Sequence, residues 1–141
     1  VTQLSCGTRR ARKQYGCDLG CGGWIEVGEV HHVQANAVDG TVHTFRAHSH
    51  CYALADHELS GRSDRGWMAR EYLGEVGDLE LSEWSRADVE AACDRQGLPP
   101  GHPARERARA LWQRFQATGA PRVYRNWGGE WRPGTALEVR R

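Results

Sequence analysis

Cys17-Asp18-Leu19-Gly20-Cys21 and His48-Ser49-His50-Cys51 are the two stretches whose reading decides the fold. Thiolates and imidazole are the ligands of a tetrahedral structural zinc site, and four of them close the shell against water. His48 and Cys51 are separated by two residues, which lets neighbouring side chains converge on one ion. Cys17 and Cys21 are separated by three, a less usual but permitted gap. Gly20 is placed to absorb the extra residue with a positive φ. The two pairs stand 26 residues apart. His50 is the alternative to His48, although only His48 has the two-residue gap to Cys51. Cys6 is a reserve ligand should the Cys17–Cys21 geometry fail. The competing reading, ordinary core cysteines and a core histidine, leaves the pairing unexplained.

Between the pairs, Trp24 to Arg46 is rich in Val, Thr, Ile and Phe. Asp39-Gly40, between Val38 and Thr41-Val42, predicts a two-residue hairpin, because both turn positions need φ > 0. After His48 the text turns helical through Glu58. Knuckle, hairpin and a helix whose first turn supplies the last ligands is the treble-clef order, and it sets the Cys51 thiolate at a helix N-terminus, where the dipole favours negative charge.

Further along, residues 59–66 read as a linker, and Trp67 to Leu73 as one or two helical turns stopped by Gly74 and Gly77. Ser85 and Asp88 have capping-box spacing, with Trp84 and Val89 at the positions of a hydrophobic staple; Gly97 ends that helix. Cys93, beside Val89 and Ala92, reads as a core residue. Pro103 opens a helix with an apolar stripe of Ala104, Ala108, Leu111, Trp112 and Phe115, closed by Gly119 and Pro121. Its other face carries Arg105, Arg107, Arg109 and Arg114. Tyr124, Arg125, Trp127, Trp131 and Arg132 form an aromatic-basic tail around a small hairpin. Stacking on unpaired bases is one use for it; clasping a thin core is the preferred one.

The chain has 141 residues, enough for one domain or a module with an accessory lobe. No stretch approaches the length of a membrane span, and the N-terminus has no apolar signal region, so the expected location is cytoplasmic. Five cysteines, four of the soft ligands being paired, argue for metal rather than a disulfide framework. The net charge of +1 is unevenly spread: residues 1–55 hold 5 basic and 4 acidic groups, 56–96 hold 5 and 11, and 97–141 hold 9 and 3. The acidic middle is expected to fold against the basic end, with a basic face for nucleic acid as the second explanation.

Residues 15–57 resemble two kinds of zinc protein. Cys17 and Cys21, Ile25, Gly28-Glu29 and the final His48-Ser-His-Cys51 look like the finger of the poly(ADP-ribose) polymerase type. They look equally like small treble-clef zinc proteins encoded by bacteriophages and their hosts. The first resemblance implies recognition of DNA ends; the second implies no defined activity. The His31-His32 pair, followed by a hairpin and a metal-tied helix, also resembles the HNH-type nucleases. There one His activates water while further His or Asn residues hold a divalent ion. The position after Cys51, where such enzymes carry a metal-binding His, is Tyr52, leaving His57, Asn36 or His50 as substitutes. Half-exposed strand histidines are the preferred reading.

The fold expected is α+β: a zinc-bound treble-clef module over residues 1–58 with a basic N-terminal arm, then a helical accessory lobe over 59–141. The function expected is non-enzymatic binding. Nucleic acid is the first partner, through Arg9, Arg10, Arg12 and Lys13 on the arm and Arg105, Arg109 and Arg114 on the long helix. A host protein that the chain inhibits or adapts is the second. Zn²⁺ is the cofactor, and no small-molecule substrate is indicated.

Overall fold

Asp39 (φ 49°) and Gly40 (φ 79°) both adopt the left-handed conformation, so the chain reverses in two residues between Val38 and Thr41. This is the turn geometry that matches the twist of the flanking strands. The strands it joins are β4 (Val30–Val38) and β5 (Thr41–His48). Their antiparallel register sets His31 opposite His48, bringing the start of β4 beside the end of β5. The computed structural model describes residues 2–19, 21, 23–62, 81–118, 124–125 and 131–132.

β1 (Thr2–Arg10) pairs antiparallel with the other edge of β4, from Thr2 opposite Ala37 to Arg10 opposite Val30, with an irregularity between Gln3 and Ser5. The sheet order is therefore β1-β4-β5. This corrects the expected basic arm: through Arg10 the N-terminus is an edge strand, and only the segment after it is loop. The strand carries no apolar alternation, and the side chains from Gln3 to Arg10 are exposed. What holds it is the free edge of β4, whose backbone donors and acceptors need partners.

β2 (Tyr15–Gly16) and β3 (Trp24–Ile25) form a two-residue ladder at the base of the knuckle. α1 (Ser49–His57) follows β5 directly, and every residue from His50 to Asp56 is buried. A helix covered on all sides belongs in the centre of a fold. A π-helical turn over Glu58–Arg62 continues it, with Ser60 Oγ donating to Asp56 O at 2.6 Å. The expected linker thus begins as wound chain, and its remainder, like the helical turns at Trp67 to Leu73, falls outside the described residues.

α2 (Arg86–Arg95) starts at the predicted capping box: Asp88 N–H donates to Ser85 Oγ (3.2 Å) and Ser85 N–H to Asp88 Oδ2 (2.9 Å). It ends in a Schellman motif, with Gly97 at φ 71°, Leu98 N–H on Cys93 O and Gly97 N–H on Asp94 O, both 3.0 Å. α3 (Pro103–Thr118) is capped by His102, whose Nδ1 accepts from Ala104 N–H at 3.0 Å. Ala104, Ala108, Leu111 and Phe115 are buried as the stripe predicts. Trp112, partly exposed, donates Nε1–H to Trp84 O at 2.8 Å. Trp84, Val89 and Cys93 join Cys17, Ile25, Leu54 and Phe115 in one continuous core, so α1, α2, α3 and the knuckle share their packing. The end of α3 beyond Thr118 lies outside the described residues. A hairpin of β6 (Tyr124–Arg125) and β7 (Trp131–Arg132) does form.

Candidate metal centre

Four side chains arrive at one point from three elements. Cys17 follows β2 and Cys21 precedes β3, so the small ladder presents both arms of the knuckle. His48 closes β5, and Cys51 lies in the first turn of α1. Their ligand atoms all fall within 4.8 Å of one another, and all four residues are buried. Cys21 Sγ lies 3.4 Å and Cys51 Sγ 3.7 Å from His48 Nδ1. A tetrahedron with metal–sulfur bonds of about 2.3 Å and a metal–nitrogen bond of about 2.0 Å has S···N edges of about 3.5 Å. The donor set fits a metal ion of that coordination. His50 and Cys6 are not among the four.

The surroundings orient the donors. His48 Nε2 lies 2.8 Å from Trp24 O; a carbonyl only accepts, so this nitrogen carries the hydrogen and Nδ1 turns to the sulfurs. Glu29 Oε2 stands 4.0 Å behind Nε2 and is itself bound by Arg107 of α3 at 2.7 Å. Burial works against the Glu29 carboxylate, but the Arg107 hydrogen bond holds it below its ordinary range. Gly23 N–H donates to Cys21 Sγ at 3.4 Å. Asp18 ties the knuckle to β5 in both directions: its N–H donates to Arg46 O, and its Oδ2 accepts from Arg46 N–H, each at 2.8 Å.

Charge at the centre is strongly perturbed. Burial pushes the Cys17 and Cys51 thiols up. Hydrogen bonds from Cys17 and then Cys51 hold Cys21 far below the usual thiol range. His48, despite burial, is raised to about 10 by its hydrogen bonds to Cys17 and Cys21. Three thiolates together in an apolar setting are costly, and a divalent cation reduces their −3 to −1.

The remaining histidines do not converge. His50 is buried with Nδ1 unpartnered, its ring centroid 4.8 Å from that of His48, and burial lowers its pKa to about 3. His31 and His32, as successive strand residues, point to opposite faces. His32 stacks on Tyr52 (3.7 Å, 4°), whereas His31 Nε2 meets Arg46 Nη1 at 3.0 Å. Asn36 is buried and donates to Gln34 Oε1 at 2.9 Å, and His57 packs edge-on against Trp84. Cys6 is exposed on β1, and Cys93 is buried in the core.

The basic residues separate into two classes. Arg105 and Arg109, expected to face nucleic acid, are paired with carboxylates of α2 and α3. Arg105, with 7% of its side chain exposed, binds Asp94 (2.7 Å), Glu90 (3.2 Å) and Leu98 O (2.7 Å). Arg109 binds Glu90 and Glu106. This is the acidic middle folded against the basic end, as the charge distribution anticipates. Arg114 remains exposed. Arg9, Arg10 and Arg12 line a cleft of about 680 Å³ together with Tyr15, His31 and Arg46. Lys13 stands 5.5 Å from the Tyr15 ring centroid. Arg46 was not anticipated, yet the signal was present: it precedes His48 by two, and strand periodicity sets both on one face.

No protein-family model, curated protein or solved structure matches the chain.

Proposed function

We propose that the chain is a zinc-stabilised, non-catalytic binding module of treble-clef type whose partner is nucleic acid. One observation carries this reading: a buried Cys₃His cluster and an arginine-lined cleft are tied together by the paired bonds between Asp18, next to Cys17, and Arg46 of the cleft. Three sulfurs and one nitrogen at tetrahedral distances suit zinc, and four protein ligands leave no open position for a metal-bound water. The metal therefore serves the fold, and the surface serves the partner. Scattering of His31, His32, Asn36 and His57 supports the non-catalytic reading. Arg9, Arg10, Arg12 and Lys13 supply a phosphate-binding face, and among the described residues no helix is long and apolar enough to cross a membrane.

Metal analysis of the purified protein is expected to give about one zinc per chain. Oligonucleotide binding is expected to weaken with salt, and the slope of log K against log[salt] to fall by roughly 0.7–0.9 for each phosphate contact removed at Arg9 or Arg12. A metal-free folded protein would sink the zinc assignment. Absence of salt-sensitive binding would hand the face to a host protein instead.

A further inference from the structure

The cleft beside the metal centre is more specialised than a general basic patch. Its cations come from three places: Arg9 and Arg10 from β1, Arg12 from the following loop, and Arg46 from β5. Arg46 is held in place before any ligand arrives. Its guanidinium carbon lies 3.9 Å from the Tyr15 ring centroid. Its Nη1 lies 3.0 Å from His31 Nε2. Arginine has no acceptor, so His31 accepts through Nε2, carries its hydrogen on Nδ1 and faces Glu29 O at 3.4 Å. The stack and the single hydrogen bond fix the plane of the guanidinium while leaving most of its N–H donors for a ligand. Arg10 is likewise anchored, by Nη1 to Gly28 O at 2.8 Å.

Among the described residues, no carboxylate lines this cleft. The acids closest in sequence have other partners: Asp18 holds the Arg46 amide, Glu26 accepts from Gln14, and Glu29 is bound by Arg107. Four guanidiniums around one volume amount to a concentrated positive charge rather than a track of single charges. A backbone phosphodiester offers one negative charge at each step. A phosphate monoester at neutral pH carries about −1.5 to −2 and three acceptor oxygens, and guanidiniums bind such oxygens in pairs.

We propose that this cleft seats a phosphate monoester, with Arg46 as its fixed floor and Arg9 and Arg12 as its adaptable walls. Resting on the nucleic-acid reading above, we assign that group to the terminal phosphate of a nucleic-acid chain. A free nucleotide or inorganic phosphate offers the same chemistry, and the experiment separates these sources.

The test uses the full zinc-loaded protein and one short single-stranded oligonucleotide, labelled at its 3′ end and bearing either a 5′-phosphate or a 5′-hydroxyl. Fluorescence anisotropy at moderate salt is expected to show the phosphorylated strand binding about tenfold more tightly, the scale of one charge-assisted bidentate contact. Arg46→Gln is expected to erase that difference while leaving weaker, salt-sensitive binding. Arg46→Lys is expected to restore it only in part, because an ammonium cannot stack and fork at once. Arg9→Gln with Arg12→Gln, both at exposed positions, gives a second variant should Arg46→Gln fail to fold by circular dichroism. Equal, salt-sensitive binding of both strands would overturn the monoester seat and leave the nucleic-acid reading intact. Tight binding of adenosine monophosphate or inorganic phosphate, with neither strand bound, would keep the seat and overturn the nucleic-acid reading. No binding of any of these ligands would overturn both.

Discussion

Arg9, Arg12 and Arg46 on the sheet side and Arg105 and Arg109 on α3 look alike in sequence, and the fold uses them in opposite ways. Around the cleft no carboxylate intrudes among the described residues, and one of the guanidiniums is braced on Tyr15. On α3, Glu90, Asp94 and Glu106 take up the charge and turn arginines into ties between α2 and α3. The difference lies in the neighbours. Charge along a chain describes a surface only where the fold supplies no opposite charge to it.

Metal removal is the largest perturbation, because it should abolish one side of this contrast entirely. Structural zinc sites contribute an apparent 10–16 kcal/mol, roughly the whole net stability of a domain at about 5–15 kcal/mol. Chelation, or Cys51→Ala, is expected to remove the cooperative unfolding transition and, with it, all binding at the cleft. A chelated protein that still melts cooperatively and still binds phosphate would show that the centre is not structural.

A smaller effect should distinguish the two arginine sets directly. Arg105→Met leaves Glu90 and Asp94 without their shared cation and is expected to lower the thermal midpoint by several degrees with oligonucleotide affinity unchanged. Arg9→Gln with Arg12→Gln is expected to do the reverse, shifting stability by no more than about 0.5 kcal/mol while weakening binding. An Arg105 variant of normal stability and lost affinity would restore α3 as an interface.

The smallest expected effect is in acid. Glu90 is held down to about 2, chiefly by the Arg109 hydrogen bond and then by Arg105, against an ordinary value of 4.5. A carboxylate depressed on folding contributes stability above its unfolded pKa and loses that contribution as the pH falls through the folded one. The stability difference between wild type and Glu90→Gln should therefore shrink from pH 4.5 towards about 2. The comparison cancels the acid sensitivity that the metal ligands share in both proteins. A difference independent of pH would mean that Glu90 acts through packing rather than charge.

Much of this was legible because it is local. Ligand spacing, the Asp39-Gly40 turn, the Ser85–Asp88 box and the α3 stripe each depend on residues a few positions apart, and each is found in the fold. β1 was not legible: Thr2 to Arg10 shows no alternation, and its place is set by the free edge of a strand twenty residues away. The internal role of Arg105 and Arg109 depends on Glu90, Asp94 and the α2–α3 packing, which periodicity does not reveal. The cleft was half legible. Arg9 to Lys13 is visible as a run, whereas Arg46, Tyr15 and His31 meet only once β2, β4 and β5 are assembled.

The two-way bond between Asp18 and Arg46 joins the residue after the first ligand to the floor of the cleft. Such a bond gives a metal ion and a cleft ligand a shared stretch of backbone to act through. By whatever factor an occupied metal site tightens phosphate binding, bound phosphate must tighten metal binding by the same factor. With the two sites so coupled, a ligand held in the cleft would make the protein a stronger competitor for its metal ion, and loss of the metal would loosen its hold on that ligand.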